Sequence, residues 1–107
     1  MVFVELPIFI RSASGLFSDE DLADMQNRLI RNPASGDLIP NSGGLRKLRV
    51  PLPGRGKRGG ARVIYYYWTR AERCYLVYAY AKNVAADLTR AQLRQLVAMI
   101  DVEVKDG

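Results

Sequence analysis

The chain contains no histidine and only one cysteine, Cys74. These shortages remove most familiar hydrolytic equipment: no zinc ligand set, no Ser–His or Cys–His pair and no internal disulfide can be assembled. No cofactor or metal is expected. No apolar run approaches the roughly 20 residues that a membrane-spanning helix needs, and nothing at the N-terminus has the pattern of a cleavable signal. A soluble, cytoplasmic protein with no membrane partner is the expectation. Acid is missing from the middle of the chain, with none between Asp37 and Glu72. That stretch carries Arg46, Lys47, Arg49, Arg55, Lys57, Arg58, Arg62 and Arg70. The net charge of +5 therefore understates a local field suited to phosphates or to an acidic protein, with a solvated basic face as the plainer alternative.

What is present describes one globular unit. A length of 107 residues suits a single domain over 1–107, and the composition, 49% hydrophobic and 25% charged, is that of a chain that folds on its own. Met1 to Leu6 reads as a short strand ending at Pro7, and Ile8, Phe9 and Ile10 lead on toward a first helical turn. Ser18 before Asp19, Glu20 and Asp21 is a helix start, with Leu22, Met25, Leu29 and Ile30 at helical spacing up to the stop before Pro33. Pro33 to Gly44 reads as loop. Three strands rich in Val, Ile, Tyr and Trp follow, over Leu45–Val50, Ala61–Trp68 and Arg73–Ala81. The segment from Pro51 to Gly60 is expected to be a mobile hairpin loop. Thr89 with Gln92 makes a capping-box pattern ahead of the stripe Leu93, Leu96, Val97 and Ile100. The predicted fold is α+β: a small, mostly antiparallel β-sheet with an N-terminal helix or helices and a C-terminal helix, the helices packed on one face.

Any hydrolytic chemistry must rest on Lys, Arg, Tyr or carboxylates. Alternation along a strand puts Lys47 and Arg49 on one face and Arg46, Leu48 and Val50 on the other. Arg62 stands in the run Val63, Ile64, Tyr65, Tyr66, Tyr67, Trp68, where a charge is costly without a partner. Glu72, Asp87, an aromatic surface or a bound phosphate would each answer. Lys82 leaves the last strand where an antiparallel neighbour brings it close to Arg62, and neighbouring positive charge favours the neutral, proton-accepting amine. The tyrosines suit the core or a cross-strand ladder, with Tyr80 the one best placed to stack on a base. The segment Gly54-Arg55-Gly56-Lys57-Arg58 lacks the spacing and the hydroxyl residue of a triphosphate loop, so nucleotide triphosphate binding is rejected.

Gly43-Gly44-Leu45-Arg46-Lys47-Leu48-Arg49-Val50, Gly56-Lys57-Arg58-Gly59-Gly60-Ala61-Arg62-Val63-Ile64-Tyr65-Tyr66, Tyr80-Ala81-Lys82-Asn83 and Asp87-Leu88-Thr89 together resemble the RelE superfamily of toxins, most closely its HigB branch. The resemblance implies a microbial-ribonuclease-like fold, cleavage of messenger RNA in the ribosomal A site, and inhibition by a cognate antitoxin. By motif position Lys47 and Arg49 match the basic pair of the second family strand, Arg62 the arginine of the third, and Lys82 the strand-end motif. Asn83 stands where founding members have a further arginine, and Thr89 where they have a catalytic tyrosine. The resulting assignment gives Arg62 to the phosphate, Lys82 or Lys47 to proton transfer, and Arg49 to the RNA backbone. Arg46, Arg55, Lys57, Arg58, Tyr80 and Asn83 are the expected RNA or ribosome contacts. Two other readings remain at this point: a gyrase-poisoning toxin of the ParE type, and an RNA-binding module without catalysis.

Overall fold

The computed structural model describes residues 1–54, 59–85 and 87–106. The elements run β1 (Val2–Glu5), α1 (Pro7–Ala13), α2 (Asp19–Arg31), β2 (Asp37–Leu38), β3 (Arg46–Val50), β4 (Ala61–Trp68), β5 (Arg73–Ala81) and α3 (Arg90–Asp106). The α+β reading holds, as do the bounds of the two long strands. Capping decides where the longer helices begin. The Ser18 hydroxyl accepts from the Asp21 N–H at 3.1 Å while the Asp21 carboxylate accepts from the Ser18 N–H at 2.8 Å, which fixes the start of α2. The same reciprocal pair at Thr89 and Gln92, 3.1 and 2.9 Å, starts α3. Pro7 at the first position of α1 has no N–H to leave unsatisfied, so the strand-ending proline also opens a helix.

The strands form one sheet in the order β1-β5-β4-β3-β2. Its pairs are antiparallel except β1 with β5, which is parallel. Two residues that read as loop, Asp37 and Leu38, form the edge strand β2. Tyr65 explains how: its hydroxyl donates to Pro33 O at 2.7 Å and accepts from Gly36 N–H at 2.9 Å. Gly36 can approach that closely because a Cβ there would lie 2.8 Å from the Tyr65 ring.

The expectation that the helices share one face is corrected by the packing. Phe9 of α1 and Met25 and Leu29 of α2 bury Leu48, Val50, Val63 and Leu76 on one side of the sheet. Leu96 and Ile100 of α3 bury Leu45, Ile64, Val77 and Tyr80 on the other. A sheet with apolar residues on both faces needs cover on both. A bulge in β5 makes this possible. Ile64 pairs with Tyr78 but Tyr65 pairs with Leu76, so Val77 is an extra residue and the alternation shifts. Cys74 and Leu76 before the bulge, and Ala79 and Ala81 after it, therefore face the same core.

Candidate active site

Cross-strand partners point to the same face of a sheet, so the register builds the site row by row. Arg49 pairs with Arg62, and Arg62 with Tyr80, one row across β3, β4 and β5. The next row is Lys47, Ile64 and Tyr78. Lys47 and Arg49 thus share the face expected for them, and it is the face that carries Arg62. Two guanidinium groups directly opposite each other repel, and burial makes the arrangement costlier: Arg62 is only 8% exposed. Its Nη1 donates to Gly59 O at 2.9 Å and Ala61 O at 3.1 Å. Among the described residues no carboxylate pairs with it, so neither Glu72 nor Asp87 is its partner. A buried guanidinium held by carbonyls beside a second cation keeps its charge without a counter-ion among the described residues, an arrangement with the planar donors that could take an anion.

Lys82 joins this group. Its backbone N–H donates to Gly60 O at 3.0 Å, and its side chain lies so close over Gly59 that a Cβ there would come within 2.9 Å of the Lys82 Cγ. Gly59, at φ +80, therefore touches Lys82 with its Cα and Arg62 with its carbonyl. Lys47 Nζ reaches the Asp87 carboxylate at 3.4 Å. The Leu88 N–H, at 2.9 Å from the same Asp87 oxygen, is the main influence holding that carboxyl below its usual pKa, with the Lys47 and Lys82 charges acting in the same direction and desolvation against. The sequence offered Asp87 as an optional partner of Arg62 and as part of the Asp87-Leu88-Thr89 motif of the resemblance, with no role of its own. The available signal was its isolation: from Asp37 to Asp87 the sole intervening acid is Glu72.

Other expected site residues fall elsewhere. Arg46 faces the α1/α2 side, where its Nη1 braces the Gly36 carbonyl at 2.9 Å, away from the Arg49–Arg62 row. Tyr80 is in the right row but is 7% exposed and belongs to the core under α3. A ring so covered offers no face for a base, which corrects the stacking role. Its hydroxyl is buried without a hydrogen bond; burial first, then the Asp87 charge, pushes its pKa up to about 12, against the opposing pull of Arg62. Asn83 is exposed in the turn after β5. Arg55, Lys57 and Arg58, with the middle of the expected mobile loop, lie outside the described residues. Sequence reasoning passed over Arg28, whose Nη1 donates to the Arg49 carbonyl at 2.8 Å and ties α2 to the end of β3. Cys74 is buried and its thiol is pushed up to about 12 by desolvation, so it is no nucleophile. Among the described residues no His, Cys, Asp and Glu group could hold a metal, and no helix is long and apolar enough to cross a membrane.

A small mixed sheet covered by helices on both faces, with a cluster of basic side chains at the end of its central strands, defines a compact α+β protein. The chain belongs to the RelE toxin family, described as "RelE toxin of RelE / RelB toxin-antitoxin system", which it matches over residues 7–104. Its fold is similar to that of the E. coli toxin RelE, solved as an arginine-to-alanine double mutant in the free state. The TM-score is 0.60 at 11% identity, over 92% of this chain and 94% of that one.

Proposed function

We propose that this toxin is a ribosome-dependent endoribonuclease of the RelE/HigB type, cutting messenger RNA in the ribosomal A site without a metal ion. The observation that carries the reading is Arg62: buried, opposite Arg49, anchored by carbonyls and unpaired with any described carboxylate. RNA cleavage by the adjacent 2′-hydroxyl requires an acid, a base and charge stabilisation at the phosphorane. Arg62 stabilises the phosphorane, Lys82 or Lys47 moves a proton, and Arg49 holds the backbone. The ribosome supplies what the small site lacks, a substrate strand fixed in place. The partners on this reading are the ribosome and its messenger in the cytoplasm, and a cognate antitoxin that neutralises the protein.

The test is expression of the isolated chain in bacteria, followed by mapping of RNA ends on programmed ribosomes treated with purified protein. Wild type should arrest translation and create new RNA ends on the programmed ribosomes. Arg62→Ala should remain folded and lose at least about 100-fold in cleavage, the scale of a lost phosphorane-stabilising donor. A soluble Arg62→Ala protein with undiminished toxicity would overturn the assignment.

A further inference from the structure

We propose that Asp87 is the proton acceptor of the cleavage reaction, which makes it a catalytic residue rather than a surface counter-ion of Lys47. The inference rests on the RNA-cleaving reading above and deepens it by naming its base. Three observations converge on Asp87. It lies on the segment between β5 and α3, and its neighbours across the site are Lys47 from β3 and Lys82 from the end of β5. Asp37 of β2 lines the same cavity of about 230 Å³. Lys47 Nζ and the Leu88 N–H both bind Oδ1. Neither contact occupies Oδ2, and the side chain is 66% exposed, so an incoming hydroxyl can reach it. Lys47 and Arg49 are two residues apart on one strand, a spacing of roughly 7 Å, the scale of a ribose and its phosphate.

Chemistry separates the roles. Among Lys47, Lys82, Arg49, Arg62 and Asp87, only a carboxylate already lacks its proton at neutral pH. Its negative charge would weaken a site that merely bound phosphate, and proton acceptance accounts for its presence there. The 2′-hydroxyl passes its proton to Asp87 Oδ2 as its oxygen forms the new bond to phosphorus. The bond from phosphorus to the 5′-oxygen breaks, and that oxygen takes a proton from an ammonium group. The entering and leaving oxygens sit on opposite sides of the phosphorus. Lys82 is therefore the donor, because Lys47 lies 3.4 Å from the acceptor itself. The products are a 2′,3′-cyclic phosphate and a 5′-hydroxyl end. Water then takes the proton from Asp87 and returns one to Lys82. Lys47 remains the clamp that aims the carboxylate.

Single-turnover cleavage on programmed ribosomes, measured from pH 6 to 9 at saturating toxin, tests this. Asp87→Asn should slow the saturated rate by about 100-fold or more, within the range of a lost general base, with half-saturation unchanged or lower because a negative charge is removed. Asp87→Glu should recover part of the rate. Asp37→Asn removes the other carboxylate of the cavity, and a loss as large as that of Asp87→Asn would make Asp37 the base and overturn the proposal. The wild-type rate should be level across the pH range, whereas the residual Asp87→Asn rate should climb about tenfold per pH unit as hydroxide replaces the missing base. An Asp87→Asn rate within about threefold of wild type, a defect confined to half-saturation, or a wild-type rate that itself climbs with pH would each overturn the proposal while leaving the nuclease reading intact. Wild type that leaves the messenger whole overturns both.

Discussion

Two buried tyrosines show how differently the same side chain can be used. Tyr65 donates to one backbone group and accepts from another, while the Tyr80 hydroxyl is buried without a partner. Removing a satisfied hydroxyl strands the groups it served, at about 1–3 kcal/mol, whereas removing an unsatisfied one relieves a desolvation cost. Thermal or urea unfolding should therefore show Tyr65→Phe less stable than wild type and Tyr80→Phe equal or more stable. The opposite order would mean that the Tyr80 hydroxyl has a partner in solution. Arg62 follows similar logic with charge in place of a hydroxyl. The sequence exposed its anomaly, a guanidinium within an apolar and aromatic run, yet its anchors are backbone carbonyls, which carry no side-chain signature.

The hairpin joining β3 and β4 depends on glycine at its base. Gly60 has φ +68 and a Cβ there would run into the Val50 carbonyl; Gly54 has φ +74 with open space around it. Gly54→Ala should cost only the left-handed backbone, about 1 kcal/mol. Gly60→Ala adds a collision with backbone and shifts the carbonyls that hold Arg62 and Lys82, so a loss of several kcal/mol in urea unfolding, with cleavage falling further than for Gly54→Ala, is expected. Equal effects of the two would remove the structural role given to Gly60. Most elements were legible because local rules set them. The caps at Ser18 and Thr89, the stop before Pro33 and the aromatic content of β4 and β5 are all short-range signals. What escaped depends on distant contacts. The edge strand β2 exists because Tyr65, from another strand, pins the residues before it. The parallel place of β1 beside β5 has no local marker. The Val77 bulge broke the alternation that would have shown β5 serving two cores, and with it the reason for helices on both faces. The same burial hid the true situation of Tyr80. Lys47 and Arg49 were legible as a pair because β3 keeps a regular alternation, whereas Asp87 sits on an irregular segment that periodicity cannot place.

At the scale of the molecule, the core contains acids that are reluctant to ionise. The Cys74 thiol moves from a usual 9.0 to about 12 and the Tyr80 phenol from 10.0 to about 12, both chiefly through burial. In the unfolded chain these groups lose protons first, so between about pH 9 and 12 the unfolded state binds fewer protons than the folded one. Stability is then fully present below pH 9 and falls as pH rises through that window. A series of melting temperatures from pH 7 to 11 should decline above pH 9, and Cys74→Ala, although less stable at neutral pH, should decline less steeply. A flat series would contradict the burial of these groups.

The parallel pairing of Val2 with Arg73 also has a consequence in time. Strand β1 waits for β5, some 70 residues later in the chain, and the cationic row draws on β3, β4 and β5, with Asp87 later still. Contacts so far apart in sequence form slowly and late. The cationic row therefore comes together only after β3, β4 and β5 have all been made, and it is held apart in the chain until then.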